Sequence, residues 1–182
     1  GDVAVFQPEF SEDGTALYYV SDREGFGQIW KADIETGSRT RLTDQEQEYG
    51  QPAWVQDLRT YALVDGDRKA IAIVNRAGFM KLCLINFADG THTELEHLSE
   101  YGDFSQLSWS PKASRASVIG SGGRLALRLL SWEFGEESNS THVVAAQIPN
   151  RDQLSIAEPI TYPTASESMA HGIYYPPVGQ AD

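Results

Sequence analysis

The sequence predicts an all-β chain, a partial β-propeller of about three to four four-stranded antiparallel blades. Three observations point there. The motif Gln7-Pro8-Glu9-Phe10 returns forty-four residues later as Gln51-Pro52-Ala53-Trp54. Short runs of β-branched and aromatic residues alternate with turns rich in Gly, Asp and Asn. No window of a dozen residues carries a helical apolar face, so helix should be scarce. A period of roughly 40 to 50 residues, with about four short strands in each, is the range of propeller blades.

The first unit opens at Gln7-Pro8-Glu9-Phe10-Ser11-Glu12-Asp13-Gly14. Strands follow at 17–20 and 28–32, separated by Ser21-Asp22-Arg23-Glu24-Gly25. A turn at Glu35-Thr36-Gly37 leads to a third strand ending at Leu42-Thr43. The second unit has strands at 61–64, 70–74 and 81–85, a turn at Ala88-Asp89-Gly90, and a last strand near 92–95. Asp13-Gly14 and Asp89-Gly90 suit tight turns, where glycine takes positive φ without steric cost. The third copy is weaker. It begins at Leu107-Ser108-Trp109-Ser110-Pro111, with strands near 116–119, 125–130 and 142–146, and Trp109 stands 55 residues after Trp54. Residues 95–105 come nearest to a helix but are short and interrupted by glycine. The expected blades are 1–47, 48–100 and 101–153. Residues 154–182 are expected as an extended linker, because Pro159, Pro163, Pro176 and Pro177 remove backbone donors and confine their segments to an edge or a connection.

The 182 residues suffice for one domain, with 41% hydrophobic and 22% charged residues, close to an ordinary globular composition. Fourteen basic against 26 acidic side chains leave a formal charge of −12. Such a surface repels phosphate backbones and anionic lipid, so no nucleic acid and no membrane is expected as a partner. No apolar run reaches the length of a bilayer span. Cys83 is the single cysteine; it lies in Leu82-Cys83-Leu84-Ile85 and reads as a buried thiol, without a disulfide or a Cys-based zinc site. That usage suits a reducing compartment, and a cytoplasmic location is the expectation. Residues 1–6 do not resemble a targeting signal.

Ser121, in Gly120-Ser121-Gly122-Gly123, comes nearest to a nucleophile elbow, but Ile119 stands where Gly-x-Ser-x-Gly needs its first glycine. A structural turn is the reading. His92 and His97 are spaced for neither a strand face nor a helix face, and His142 and His171 stand alone, so no metal site is expected. Asp65-Gly66-Asp67 reads as a hairpin loop, because an oxygen cage for calcium needs six to eight ligands. Glu94, Glu96 and Glu100 read as a solvated face, and Glu133, Glu136 and Glu137 likewise. Asn139-Ser140-Thr141 matches a glycosylation acceptor, which matters only in a secreted protein. Ser21-Asp22-Arg23 could face a substrate cavity; pairing at strand ends is the preferred reading. Phe26 and Tyr101 are open between blade packing and exposure. No catalytic residue, no cofactor-binding residue and no metal ligand is therefore expected, and no cofactor.

From Pro8 to Thr43 the first unit resembles the TolB-like repeat, a WD40-like propeller unit: Pro-x-aromatic-Ser-x-Asp-Gly, a strand, Ser-Asp-Arg-x-Gly, a strand holding Ile29-Trp30, a glycine turn and Leu42-Thr43. Tyr49-Gly50-Gln51-Pro52-Ala53-Trp54-Val55 is similar to a late blade of prolyl oligopeptidase family enzymes of the acylaminoacyl peptidase and dipeptidyl aminopeptidase type. Ser155-Ile156-Ala157-Glu158-Pro159-Ile160 and His171-Gly172-Ile173-Tyr174-Tyr175-Pro176-Pro177 look like the passage from that propeller into the peptidase domain. The resemblance implies a serine peptidase parent with a Ser-Asp-His triad on an α/β-hydrolase domain, which this chain lacks. It implies that the blades gate or position peptide substrates, with that hydrolase domain as partner. The alternative is a stand-alone TolB-like propeller acting as a protein-interaction scaffold. Three or four blades do not close a ring of about four to eight, so self-association through the terminal blades is also expected.

Overall fold

Strand periodicity sends successive side chains to opposite faces, so a run that is apolar at every position demands a neighbour on both sides. The computed structural model describes residues 2–51, 57–144, 147–165 and 168–179. They form three four-stranded antiparallel sheets and one two-stranded hairpin. The first sheet holds β1 (Val5–Phe10), β2 (Ala16–Ser21), β3 (Gln28–Asp33) and β4 (Arg39–Arg41). The second holds β5 (Tyr61–Val64), β6 (Lys69–Arg76), β7 (Phe79–Asn86) and β8 (His92–Glu94). The third holds β9 (Asp103–Ser110), β10 (Arg115–Gly122), β11 (Leu125–Glu133) and β12 (Ser140–Val144). In each, the strands pair in chain order. The fold is a stack of four-stranded antiparallel sheets, as in a partial propeller, and helix is confined to two 3-10 turns among the described residues, Glu96–Leu98 and Arg151–Gln153.

The second sheet is buried on both faces, and its sequence shows why. Tyr61 and Leu63 on β5, Ala70, Ala72 and Val74 on β6, and Cys83 and Ile85 on β7 pack against Ala16, Tyr18, Val20 and Ile29 of the first sheet. The alternate residues Ala62, Val64, Ile71, Ile73 and Leu82 pack against Phe104, Leu107, Ala116, Val118, Leu130 and Trp132 of the third. Cys83 is buried as a free thiol, and burial pushes it up to about 11, the direction expected when a thiolate would lose its hydration.

β1 was not anticipated as a strand. Gln7 takes φ 49° and the pairing with β2 shifts register between Phe6 and Glu9, so a bulge interrupts the alternation that sequence reading depends on. The repeat at Pro52, Ala53, Trp54 and Val55 lies outside the described residues, as does Ala146, the expected end of the last strand of the third unit.

Residues 154–182, expected as an extended linker, contain β13 (Glu158–Pro163) and β14 (Met169–Tyr174), paired antiparallel from Glu158↔Tyr174 to Pro163↔Met169. Both prolines of β13 lie in this two-stranded ribbon, where the outer side needs no donor. The hairpin rests on the turns at one end of the propeller: Ile173 packs on Gly78, between β6 and β7, and Arg124 Nε donates to Leu154 O at 3.0 Å. No described helix is long and apolar enough to cross a membrane.

Candidate functional site on the inner strands

β1, the segment leading into β5 and Gln106 of β9 line a concavity of about 720 Å3. Its wall is polar: Gln7, Glu9, Gln51, Asp57, Arg59 and Gln106 line it. Gln7, Asp57 and Gln106 all take left-handed φ, at 49°, 63° and 57°. At Gln7 and Gln106 this coincides with a break in strand register, which turns the side chain out of the ordinary alternation.

Gln7 spans two blades. Its Nε2 donates to Tyr61 O at 2.7 Å and to Glu9 Oε1 at 3.3 Å. Its Oε1 accepts the Thr60 N–H at 2.5 Å and the Thr60 hydroxyl at 3.2 Å. Tyr61 returns a bond, its hydroxyl donating to Gln7 O at 2.8 Å, and burial pushes the pKa of that phenol well above the usual range. Arg59 pairs with Glu9 at 2.9 Å, and Leu107 N–H donates to Arg59 O at 3.1 Å. The wall is thus stitched from β1 through β5 to β9. Chemically it offers amide and charged groups that recognise polar backbone, and among the described residues no nucleophile is set beside a base there.

The residues singled out from sequence fall elsewhere. Ser121 sits in β10, its Oγ donating to Asp103 Oδ2 at 3.3 Å. It is a strand residue and not a strained strand-to-helix elbow. Asp65, Gly66 and Asp67 form the β5–β6 loop with three consecutive left-handed residues. Asp65 pairs with Arg68 at 2.6 Å and Lys69 at 3.0 Å, and Asp67 accepts the Glu12 N–H at 2.7 Å. Asp22 accepts the Ala4 N–H at 2.7 Å, while Arg23 stacks over Trp30 at 5.7 Å, so both stabilise the blade edge. Phe26 is exposed and Tyr101 is buried. His92 meets the Tyr49 hydroxyl at 2.9 Å, and His171 meets Thr161 at 3.2 Å. Asn139 donates to His97 O at 3.1 Å. Among the described residues no three His, Cys, Asp or Glu side chains group as a metal site.

One pair resembles catalytic geometry: Ser131 Oγ lies 2.6 Å from His142 Nε2. Ser131 is mid-strand, paired with Ser117 on one side and Ser140 on the other. Its surrounding amides are therefore spent on the ladder, and no oxyanion hole can form there. Arg115 Nη1 also donates to Ser131 Oγ at 3.3 Å. The pair is a cross-strand hydrogen bond.

Sequence reasoning missed Glu9, Arg59 and Gln106, and it also missed a lead-in signal. Glu48-Tyr49-Gly50 recurs as Glu100-Tyr101-Gly102, and each copy ties two blades. Tyr49 N–H donates to Gly27 O and Asn75 N–H to Glu48 O; Met80 N–H donates to Gly102 O and Gly102 N–H to Ser121 O.

No protein-family model and no curated protein matches the sequence. Solved structures do match. A puromycin-hydrolysing peptidase of Mycobacterium tuberculosis superposes with a TM-score of 0.81 at 20% identity, over 99% of this chain and 28% of that one. A prolyl endopeptidase structure gives 0.67 at 10% identity, over 95% and 24%. TolB of Acinetobacter baumannii gives 0.60 at 12% identity, over 94% and 41%. The chain spans about a quarter of the length of these peptidases. In fold, it is a set of TolB-like propeller blades of the kind found in prolyl oligopeptidase-type peptidases.

Proposed function

We propose that the chain is the non-catalytic propeller portion of a prolyl oligopeptidase-type serine peptidase, gating or positioning peptide substrates for an α/β-hydrolase domain joined to it. The observation that carries this reading is the superposition on the puromycin-hydrolysing peptidase over 99% of this chain but only 28% of the other. Two features add support. The inner wall offers Gln7, Arg59 and Glu9 to a passing peptide. One face of the β13–β14 hairpin exposes Ile160, Tyr162 and Tyr174, an apolar patch suited to a further domain of the same protein. A cytoplasmic site of action belongs to the same reading.

The test uses this chain and the full-length parent together. The parent is expected to react with a serine-directed fluorophosphonate and to cleave aminoacyl and dipeptidyl nitroanilides, whereas this chain does neither. In the parent, Gln7→Ala with Arg59→Ala should raise cleavage of long peptides relative to dipeptidyl nitroanilide. An unchanged ratio would remove the gating role. A parent without a reactive serine would leave a TolB-like interaction scaffold instead.

A further inference from the structure

At the propeller end away from the hairpin, the second and third sheets part. β6 runs from Lys69, which lines the resulting cleft, toward Gly78, on which Ile173 of the hairpin rests. The cleft measures about 770 Å3, within the range of small-ligand sites. Ile71, Leu84, Trp132 and Phe134 make its apolar floor, and Glu94, Glu96, Glu136 and Glu137 stand around it.

The balance of charge is one-sided. Lys69 is the single lysine or arginine in the lining and is already engaged, by Asp65 at 3.0 Å and over the Phe134 ring at 6.0 Å. Glu94 is neutralised by Lys81 at 3.0 Å and Arg76 at 3.7 Å. Among the described residues no base pairs with Glu96, Glu136 or Glu137. His97 also lines the cleft, edge-on to Trp132 with ring centroids 6.0 Å apart. Its Nε2 is buried with no hydrogen-bond partner, and buried polar atoms in folded proteins seldom stay unpaired. Burial holds this imidazole below its ordinary value, with Glu137 acting in the opposite direction.

An anion entering here would meet three unpaired carboxylates. A cation would meet complementary charge at the rim and an apolar floor below, where charge–charge attraction strengthens as water is excluded. We propose that this cleft is a binding site for an organic cation with an apolar body, an ammonium or guanidinium beside an aromatic or aliphatic group, as in a short peptide that carries arginine next to phenylalanine. Its polar hydrogens would reach the glutamates, while the apolar part lies against Leu84 and Phe134. The inference does not rest on the peptidase reading, because the cleft lies away from both the inner wall and the hairpin.

Calorimetric titration of this chain tests it, with phenylalanyl-arginine amide, phenethylguanidine and phenylalanyl-glutamate as separate probes. The arginine amide is expected to bind and to weaken as salt is added. Glu96→Gln with Glu137→Gln should reduce its affinity about tenfold or more with an unchanged circular dichroism spectrum. Ile119→Ser, on the opposite face of the third sheet, should leave it unaltered. Binding of phenethylguanidine alone would keep the cation chemistry and assign the source to small amines. Equal binding by phenylalanyl-glutamate, affinity indifferent to the glutamate substitutions, or no binding of either cation up to about 10 mM would overturn the proposal.

Discussion

Three aspartates hold three hairpins by the same device. Asp13 Oδ1 accepts the Thr15 N–H at 3.0 Å, the Thr15 hydroxyl at 2.8 Å and the Ser11 hydroxyl at 2.7 Å. Asp33 accepts the Thr36 N–H and hydroxyl, both at 2.7 Å, and Asp89 accepts those of Thr91 at 2.9 and 2.7 Å. Hydrogen bonds to the charged form favour it, and the bonds from the Thr15 N–H, then the Ser11 and Thr15 hydroxyls, lower Asp13 to about 2. Asp33 and Asp89 are lowered for the same reason. A carboxylate more acidic in the folded state than in the unfolded chain contributes stability that is complete above the unfolded value of 3.8. That contribution disappears as pH falls through the folded value. The melting temperature should therefore drop between about pH 4 and pH 2, and the Asp13→Asn, Asp33→Asn, Asp89→Asn triple variant should drop less steeply. Thermal melts at stepped pH check this, and equal slopes would refute it. All three turns are legible as sequence, in Asp13-Gly14, Glu35-Thr36-Gly37 and Asp89-Gly90, and Gly14, Gly37 and Gly90 take φ 72°, 70° and 69°. The carboxylate bonds to threonine are equally local and recur as Asp-Gly-Thr.

Between elements, the stability of the stack depends on contacts that no local pattern reveals. β5, β6 and β7 were readable as strands, because a run such as Ala70-Ile71-Ala72-Ile73-Val74 is short, apolar and bounded by turns. What covers it was not readable, since the partners of Ile71 and Ile73 include Phe104 and Val118 from a different repeat. The same holds for the inner wall. Gln7 was visible as the start of a motif, but its acceptors and donors at Thr60 and Tyr61 lie more than fifty residues away. Its bulge also breaks the alternation that would mark β1 as a strand. The tail hairpin was hidden by prolines that mark an edge without saying what pairs with it. Because Gln7 satisfies Thr60 N–H and Tyr61 O at once, its removal leaves partly buried polar groups without partners. Gln7→Ala should cost roughly 1–3 kcal/mol in urea unfolding followed by circular dichroism, with little change in m because the surface exposed on unfolding is the same. A loss below about 0.3 kcal/mol would mean that water replaces the amide at no cost.

For the whole molecule, the question is what happens to the two terminal faces. The second sheet is covered by its neighbours, but the first and third each turn one face away from it. On the first, Val5 and Phe10 are 57% and 68% exposed, and they lie on the side of Tyr19 and Trp30, as the pairings Val5↔Ser21, Phe10↔Leu17 and Tyr19↔Trp30 require. On the third, Leu127 and Leu129 are exposed on the side opposite Leu130 and Trp132. Stability in a repeat stack is close to a sum over neighbouring interfaces. Apolar surface left bare at Val5, Phe10, Leu127 and Leu129 forgoes about 25 cal/mol per Å2. A second copy of the chain offers the same two faces, and stacking first face on third continues the blade-on-blade packing already present inside one molecule. As it stands, the chain should therefore self-associate, with weight-average mass rising across micromolar to millimolar concentration in light scattering. Phe10→Ser with Leu129→Ser should hold it closer to monomer, since both residues are solvent-exposed in one copy and their loss creates no internal cavity. The net charge of −12 opposes association, so added salt should strengthen it by screening. Constant monomeric mass at millimolar concentration and high salt would show that these faces tolerate water.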